Sequence, residues 1–176
     1  KPIVGVNHLA AHCFSVKMLH KLDFPYLTLL VSGGHCQFLI VKGVDNFYRL
    51  GGTIDDAPGE CFDKIASFLG IGYPGGPIIE TRSKKGNEER FDFPKPMYDS
   101  TFNMSFSGLK TAVRQYLERN DGWSPEDVSA SFQAAVIDVL IDRILKGVEK
   151  TGVKSIAIGG GVAANTGLRT RLSTLG

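Results

Sequence analysis

The sequence has no apolar run close to the roughly 20 residues that a membrane-spanning helix needs, and no secretory leader pattern. A membrane partner is therefore not expected. Cysteine is scarce: Cys13, Cys36 and Cys61 are odd in number, widely spaced and form no Cys-x-x-Cys pair. That pattern argues against a disulfide framework and predicts reduced, mostly buried thiols in a cytoplasmic protein. Neither sign of charge dominates. With 20 Lys and Arg against 18 Asp and Glu, the net charge is +2, so bulk charge says nothing about a nucleic-acid partner and any basic surface must be local. A starting Met is also missing. The chain begins at Lys1-Pro2-Ile3-Val4 and stops at Gly176, just after a helical pattern, which predicts a piece of a larger protein, truncated at both ends. What remains is an ordinary globular composition, 43 % hydrophobic and 22 % charged over 176 residues, long enough for one full core.

The stretch Leu29-Leu30-Val31-Ser32-Gly33-Gly34-His35 joins two β-rich runs, Tyr26 to Val31 and Cys36 to Val41. Two such runs split by a Ser-Gly-Gly turn predict a hairpin. A Gly-Gly tip carries no side chain, so its backbone N–H groups can approach an anion closely, as phosphate-binding turns require. An ordinary structural hairpin reads the same in isolation.

Ile3 to Val6 is a short β-branched run and predicts a strand. It leads into His8-Leu9-Ala10-Ala11-His12 and a helical pattern through Leu19. On a helix the two histidines lie about 40° apart around the axis, so both imidazoles project from one face. This is the spacing of paired metal-binding histidines, with plain helix surface as the alternative. Zinc peptidases of the His-Glu-x-x-His type carry a general-base Glu beside the first His. Here that place is Leu9. Two ligands do not complete a site, so a third must come from elsewhere. His20 is rotated off this face and reads as surface.

Phe47 to Ile54 reads as a third strand. Asp55-Asp56-Ala57-Pro58 then marks a helix start, Phe62, Ile65, Ala66 and Leu69 supply its apolar stripe, and Gly70 ends it. Asp56, Glu60 and Asp63, at i, i+4 and i+7, form a second stripe: a solvated acidic face, or a carboxylate row that holds substrate hydroxyls or a cation. Gly72-Tyr73-Pro74-Gly75-Gly76-Pro77 is a turn of defined shape, either structural or a wall along which backbone approaches a ligand. From Arg82 to Ser100 the chain is polar. Lys84, Lys85, Arg90 and Lys95 beside Phe91, Phe93 and Tyr98 suit RNA contact, whereas Glu88, Glu89 and Asp92 dilute that charge and make a solvated loop the default. Two scaffold helices follow, one from Phe106-Ser107-Gly108-Leu109-Lys110-Thr111, one from a Ser124-Pro125 cap to about Lys150. Ser155 to Ile158 is a strand, Gly159-Gly160-Gly161 follows, and Leu168 to Leu175 is helical. Strand, glycines, helix sets backbone donors and a helix N-terminus against a nucleotide, with Asn165 placed to reach a base or ribose.

Three strands, a helix, a helical insertion, a strand, glycines and a helix predict an α/β domain of the ribonuclease-H-like kind found in actin-like ATPases and sugar kinases. The expected organisation is a metal-binding strand-helix segment over 1–25 and a nucleotide-binding domain over 26–176 with an insertion at about 72–152. This is mostly the second domain of a two-domain protein.

The set His8 to His12, Val31 to His35, Asp55 to Lys64, Gly72 to Pro77, Phe106 to Thr111 and Gly160 to Asn165 resembles, in order and over nearly the whole chain, the TsaD/Kae family of tRNA threonylcarbamoyladenosine transferases, bacterial type, once labelled glycoproteases. The resemblance implies an acyltransferase that moves a threonylcarbamoyl group from threonylcarbamoyl-AMP to N6 of the adenosine beside the anticodon in tRNAs reading ANN codons. It implies one divalent metal ion, iron or zinc, on His8 and His12, and a substrate-binding hairpin at Leu30, Val31, Ser32, Gly33 and Gly34. Asp63, Gly76, Glu80 and Asn165 match further adenylate-contacting positions. Partner subunits of the bacterial threonylcarbamoyl transfer complex are implied as well. The family's third protein ligand, an Asp near its C-terminus, lies beyond Gly176. Glu80 stands where the family often has Asp, and Cys61 where it often has Ala. A sugar-kinase-like ATPase, a non-catalytic scaffold and a metallopeptidase are the competing readings; retention of the His pair argues against the second and Leu9 against the third.

Overall fold

The computed structural model describes residues 2–18, 20–95 and 101–175. Leu19 and Tyr98, both named above, lie outside the described residues. The sheet is built on β1 (Tyr26–Val31), buried along its whole length as a continuous apolar run requires when both faces are covered. It pairs antiparallel with β2 (Cys36–Gly43), Val31 opposite Cys36 across the Ser-Gly-Gly turn, so the expected hairpin is present. β3 (Asn46–Gly52) continues the meander, and β4 (Ile156–Gly159) joins β1 in parallel, giving the order β3-β2-β1-β4.

Side-chain alternation along β1 and β2 divides the core in two. Leu27, Leu29, Val31, Phe38 and Ile40 face a layer made by α2 (Pro58–Phe68), α3 (Gly75–Ser83), α4 (Ser107–Arg119) and α5 (Pro125–Thr151). Tyr26, Leu30, Leu39 and Val41 face α1 (His8–Ser15), where Cys13 completes a smaller cluster. Each fully buried aliphatic or aromatic side chain contributes about 1.5–3 kcal/mol. The thiols of Cys36 and Cys61 are pushed up to about 12, first by burial, so both are neutral packing groups, as the cysteine pattern predicts.

Two local readings are corrected. Ile3, Val4 and Val6 are exposed and form no strand. A β-branched run favours extended backbone, but a strand needs a ladder partner, and these residues have none among those described. Gly75-Gly76-Pro77 is not only a turn: it opens α3, because a Cβ at Gly75 would stand 2.4 Å from the Phe62 carbonyl oxygen, and its absence lets α3 cross α2 closely. Within the stretch read as an insertion at about 72–152, α5 contributes to the core. α5 starts at the predicted Ser124 cap and ends at Gly152 (φ 67°), and it lies directly on the sheet, where Gly147 faces the Phe38 ring. No described helix is long and apolar enough to cross a membrane.

α4 is anchored from a distance. The Asp55 carboxylate accepts from Ser105 Oγ (2.6 Å), Ser107 Oγ (2.7 Å) and the N–H groups of Phe106 (2.8 Å) and Ser107 (3.3 Å), so it caps a helix 52 residues downstream. Partial burial pushes this carboxyl up, and the four hydrogen bonds more than offset it, leaving its pKa below the ordinary 3.8. Asp56 is also lowered, by the bond from Lys110 first, against partial burial and with Lys64 adding to it. A folded pKa below the unfolded one gives stability that is complete above pH 3.8 and is lost as pH falls through the lower folded value. Urea unfolding midpoints are expected to drop as pH falls below about 4 in the parent sequence and to drop less in Asp55→Asn. Equal acid sensitivity in the two would remove Asp55 from this role.

Candidate functional site

β1 and β4 run parallel, so their carboxyl ends lie side by side, where ligands bind in open α/β sheets. The turn after β1 and the glycines after β4 therefore meet. They meet closely: a Cβ on Gly160 would stand 2.3 Å from the Val31 carbonyl oxygen, and Gly160 has φ 99°, a value suited to glycine.

The turn is held from both sides. Ser32 N donates to His35 O (2.8 Å) and His35 N to Ser32 Oγ (3.1 Å). The first turn of α2 docks on it: Gly59 N donates to Ser32 O (3.2 Å) and Glu60 N to Gly33 O (3.0 Å). These bonds engage two of the unpaired N–H groups that every helix start carries. A Cβ on Gly59 would lie 2.6 Å from Gly33 Cα, so glycine is needed for this approach. The Ser32 and Gly33 carbonyls are thus engaged, and Gly33 and Gly34 stay exposed.

Two cavities flank this turn. The larger, about 300 Å³, is bounded by Gly33, Asp63, Gly76, Glu80, Gly161 and Asn165, with Phe62 and Val162 as apolar walls. The smaller, about 20 Å³, is lined by His8, His12, Leu30, Val31, Ser32, His35 and Gly160, and has room for a guest the size of one water. Val31 and Leu30, both buried, contribute wall, while Gly34 borders neither cavity.

In the larger cavity each polar group has one side fixed. Asp63 Oδ1 accepts from Gly75 N (2.7 Å). Glu80 Oε1 accepts from Thr166 N (3.2 Å) and Thr166 Oγ1 (2.6 Å), with Lys84 3.7 Å away. Asn165 is 7 % exposed, and its Oδ1 caps α6 (Thr166–Ser173) by accepting from Leu168 N (3.0 Å). Its capping duty was not legible in the sequence, although it borders the cavity as expected. The acidic stripe is divided: Asp63 lies at the cavity, while Glu60 pairs with Lys64 and Asp56 with Lys64 and Lys110. Asp56, bonded to Lys64 of α2 and Lys110 of α4, links the two helices.

In the smaller cavity, the His8 and His12 rings stand 4.6 Å apart between centroids on one side of α1, which the Asn7 side chain caps by accepting from Leu9 N and Ala10 N. The predicted common face is real, and Leu9 lines the cavity beside them. His35 comes within 6.1 Å of His8, centroid to centroid, yet no three His, Cys, Asp or Glu among the described residues are grouped to hold a metal. Two imidazoles suit zinc or iron as part of a larger ligand set. His20 is exposed, as read.

Among the described residues of the loop after α3, the two aromatics Phe91 and Phe93 are packed rather than offered for stacking. Phe93 is buried, and Phe91 packs against Tyr116 (4.6 Å between centroids) and Phe93 (5.8 Å). Lys84 and Lys95 lie near Glu80 and Asp138. Residues 84–90 are mostly exposed, as a solvated loop predicts, and Asn87 and Phe91 are tied to Asp127 and Ser131 of α5. Sequence reasoning missed Thr166 and Gln133, whose partners lie 86 and 32 residues away and leave no local signal.

Comparison with known proteins places these features. A model of the TsaD family, tRNA N6-adenosine threonylcarbamoyltransferase, matches residues 1–176. Proteins of that name from Roseobacter denitrificans and Methylocapsa acidiphila are 47 % and 51 % identical to it, over 99 % and 98 % of this chain and 52 % and 51 % of their own length. The protein of that name from Thermosipho africanus is 48 % identical over 99 % of this chain and 54 % of its own. The chain thus spans about half the length of the curated relatives it matches. Among solved structures, full-length HypF in its phosphate- and nucleotide-bound form superposes with TM-score 0.75 at 14 % identity, over 98 % of this chain and 38 % of that one. Component A of the (R)-2-hydroxyglutaryl-CoA dehydratase of Acidaminococcus fermentans gives 0.60 at 18 % identity, over 94 % and 57 %. Both likenesses support the expected actin-like, ribonuclease-H-like fold and carry nothing about activity.

Proposed function

The chain belongs to the tRNA N6-adenosine threonylcarbamoyltransferase family, and on that premise we propose that the protein containing it is an acyltransferase. It moves a threonylcarbamoyl group from threonylcarbamoyl-AMP to N6 of the adenosine adjacent to the anticodon in tRNAs reading ANN codons, in the cytoplasm and with partner subunits. The observation that carries this reading is the pair of cavities on either side of one glycine turn, nucleotide-sized on one side and ion-sized on the other.

Each group then has a task. Asp63 and Glu80 each have one carboxylate oxygen tied to the protein, and the other oxygen accepts a ribose hydroxyl. The exposed backbone of Gly33 and the Gly161 backbone allow a phosphate to approach without meeting a side chain. Gly76 and Asn165 close the adenylate end. His8 and His12 would hold a divalent iron or zinc ion, which would supply Lewis-acid polarisation of a carbonyl. The turn Leu30 to Gly34, shared by the two cavities, is where the adenosine amine forms its new C–N bond to the carbamoyl carbon as the bond from that carbon to the AMP phosphate oxygen breaks, AMP departs and the amine's proton passes to water.

Full-length protein incubated with threonylcarbamoyl-AMP, partner subunits and an ANN-reading tRNA is expected to yield one threonylcarbamoyladenosine per AMP released, read by nucleoside mass spectrometry. The same tRNA lacking that adenosine stays unmodified. AMP release without modified tRNA, or phosphoryl transfer from ATP to a small acceptor, overturns the reading.

A further inference from the structure

The orientation of Asn165 is set by a chain of hydrogen bonds with a single polarity. Its side-chain oxygen accepts the backbone N–H of Leu168 at 3.0 Å. A backbone N–H only donates, so the atom facing it must be Oδ1. Nδ2 therefore faces away and donates to Gln133 Oε1 at 2.7 Å. Gln133 is turned in consequence, and its Nε2 donates to Ser83 Oγ at 2.9 Å, whose hydroxyl donates to Glu80 O at 2.9 Å. The chain crosses from α6 through α5 to α3, and each orientation along it follows from the backbone N–H at its start. Packing supports it: a Cβ at Gly167 would stand 3.1 Å from Gln133 Nε2 and 3.2 Å from Asn165 Oδ1. Gln133 itself does not line the cavity.

We propose that Gln133 is a positioning residue for the larger cavity, holding Asn165 so that its amide offers a bound ligand an Nδ2 hydrogen-bond donor. This rests on the reading that the cavity takes an adenylate. Oδ1 is engaged by α6 and one Nδ2 hydrogen by Gln133. The second Nδ2 hydrogen remains, so the ligand atom meeting it is an acceptor, such as an unprotonated ring nitrogen or an oxygen. Hydroxyl donors are left to Asp63 and Glu80 on the same cavity. The division is complementary, with one fixed donor against two carboxylate acceptors, and it selects how the ligand lies as well as what it is.

The test measures AMP binding by calorimetry to the full-length protein and to Gln133→Met, Gln133→Glu, Asn165→Ala and the Gln133→Met/Asn165→Ala double variant. Loss of one oriented hydrogen bond predicts about tenfold weaker AMP binding in Gln133→Met and in Asn165→Ala. Gln133→Glu keeps an acceptor for Nδ2 and stays within about threefold of the parent. If Gln133 acts only through Asn165, the double variant binds no more weakly than Asn165→Ala alone, a coupling that general loosening of the fold would not produce. Additive losses in the double variant, or parent-like affinity in Gln133→Met, overturn the proposal while leaving the adenylate reading in place. A parent protein that does not bind AMP overturns both.

Discussion

Full-length protein carrying alanine at His8 or His12 is expected to lose its divalent metal and, with it, transfer to tRNA by about a hundredfold or more. The physical reason is the size of the ligand set. α1 presents two imidazoles on one side of an eight-residue helix, and Leu9 between them has no donor. His35, the nearest other candidate, completes no third position among the described residues. With so few protein donors, each carries a large share of the affinity and nothing nearby replaces it. Metal content by mass spectrometry and nucleoside analysis after reaction are read on the same preparation. His20→Ala, exposed and off α1, is the control and keeps its metal. AMP affinity in the His variants is expected to stay close to the parent, because Asp63, Glu80 and Asn165 sit in the other cavity. Unchanged metal in both variants, or full transfer by metal-stripped protein, would falsify the assignment.

Gly160→Ala is expected to be the most destabilising single-methyl change at the site, by about 4 kcal/mol. Two costs combine. The backbone has φ 99° and ψ 171°, a region essentially confined to glycine, and holding alanine there costs about 1–3 kcal/mol. The new Cβ would also lie 2.3 Å from Val31 O and 2.7 Å from Val31 C, so the turn and the glycine segment must separate, at a further ~1–3 kcal/mol. A domain of this size should lose on the order of 10 °C in melting temperature. Gly161→Ala, one residue on, meets nothing within 4 Å and should change stability by no more than about 0.5 kcal/mol. Similar melting temperatures for the two variants would mean that the Gly160 contact is not tight.

What could be read from the chain was whatever is local and repeats. The hairpin at Ser32-Gly33-Gly34 follows from two apolar runs and a side-chain-free tip, and it is there in register. The start of α5 at Ser124-Pro125 and its end at Gly152 follow from capping chemistry that spans a few residues. The His8/His12 face needed only the helical period. The misreadings share a cause. Ile3 to Val6 has the composition of a strand, but pairing is decided by a neighbour and not by composition. Gly75-Gly76-Pro77 has the composition of a turn, yet it opens a helix because α2 passes too close for a side chain. In both cases tertiary context overruled local preference.

Within the site, the residues that border the cavities were legible and those that hold them were not. Asp63, Glu80 and Asn165 were named in advance, on family resemblance more than on periodicity, and the fold does bring them to one cavity. Thr166, which fixes Glu80, and Gln133, which fixes Asn165, are ordinary polar residues in helical stretches. Asp55 likewise read as part of an acidic helix start, while its carboxylate serves a helix some 50 residues further along. Bonds of that range appear only once the sheet has brought α3, α5 and α6 together.

The Ser32 to His35 turn is a shared wall, with Gly33 on the larger cavity and Ser32 and His35 on the smaller. Thermodynamic linkage attaches to such a partition. An occupant of one chamber that shifts the turn alters the free energy of filling the other, and the reverse influence must have the same magnitude. On the proposed function, with an ion in the smaller chamber and a nucleotide in the larger, the two affinities are one coupled quantity wherever the turn moves, and an ion titration repeated with and without AMP reads that coupling from either direction.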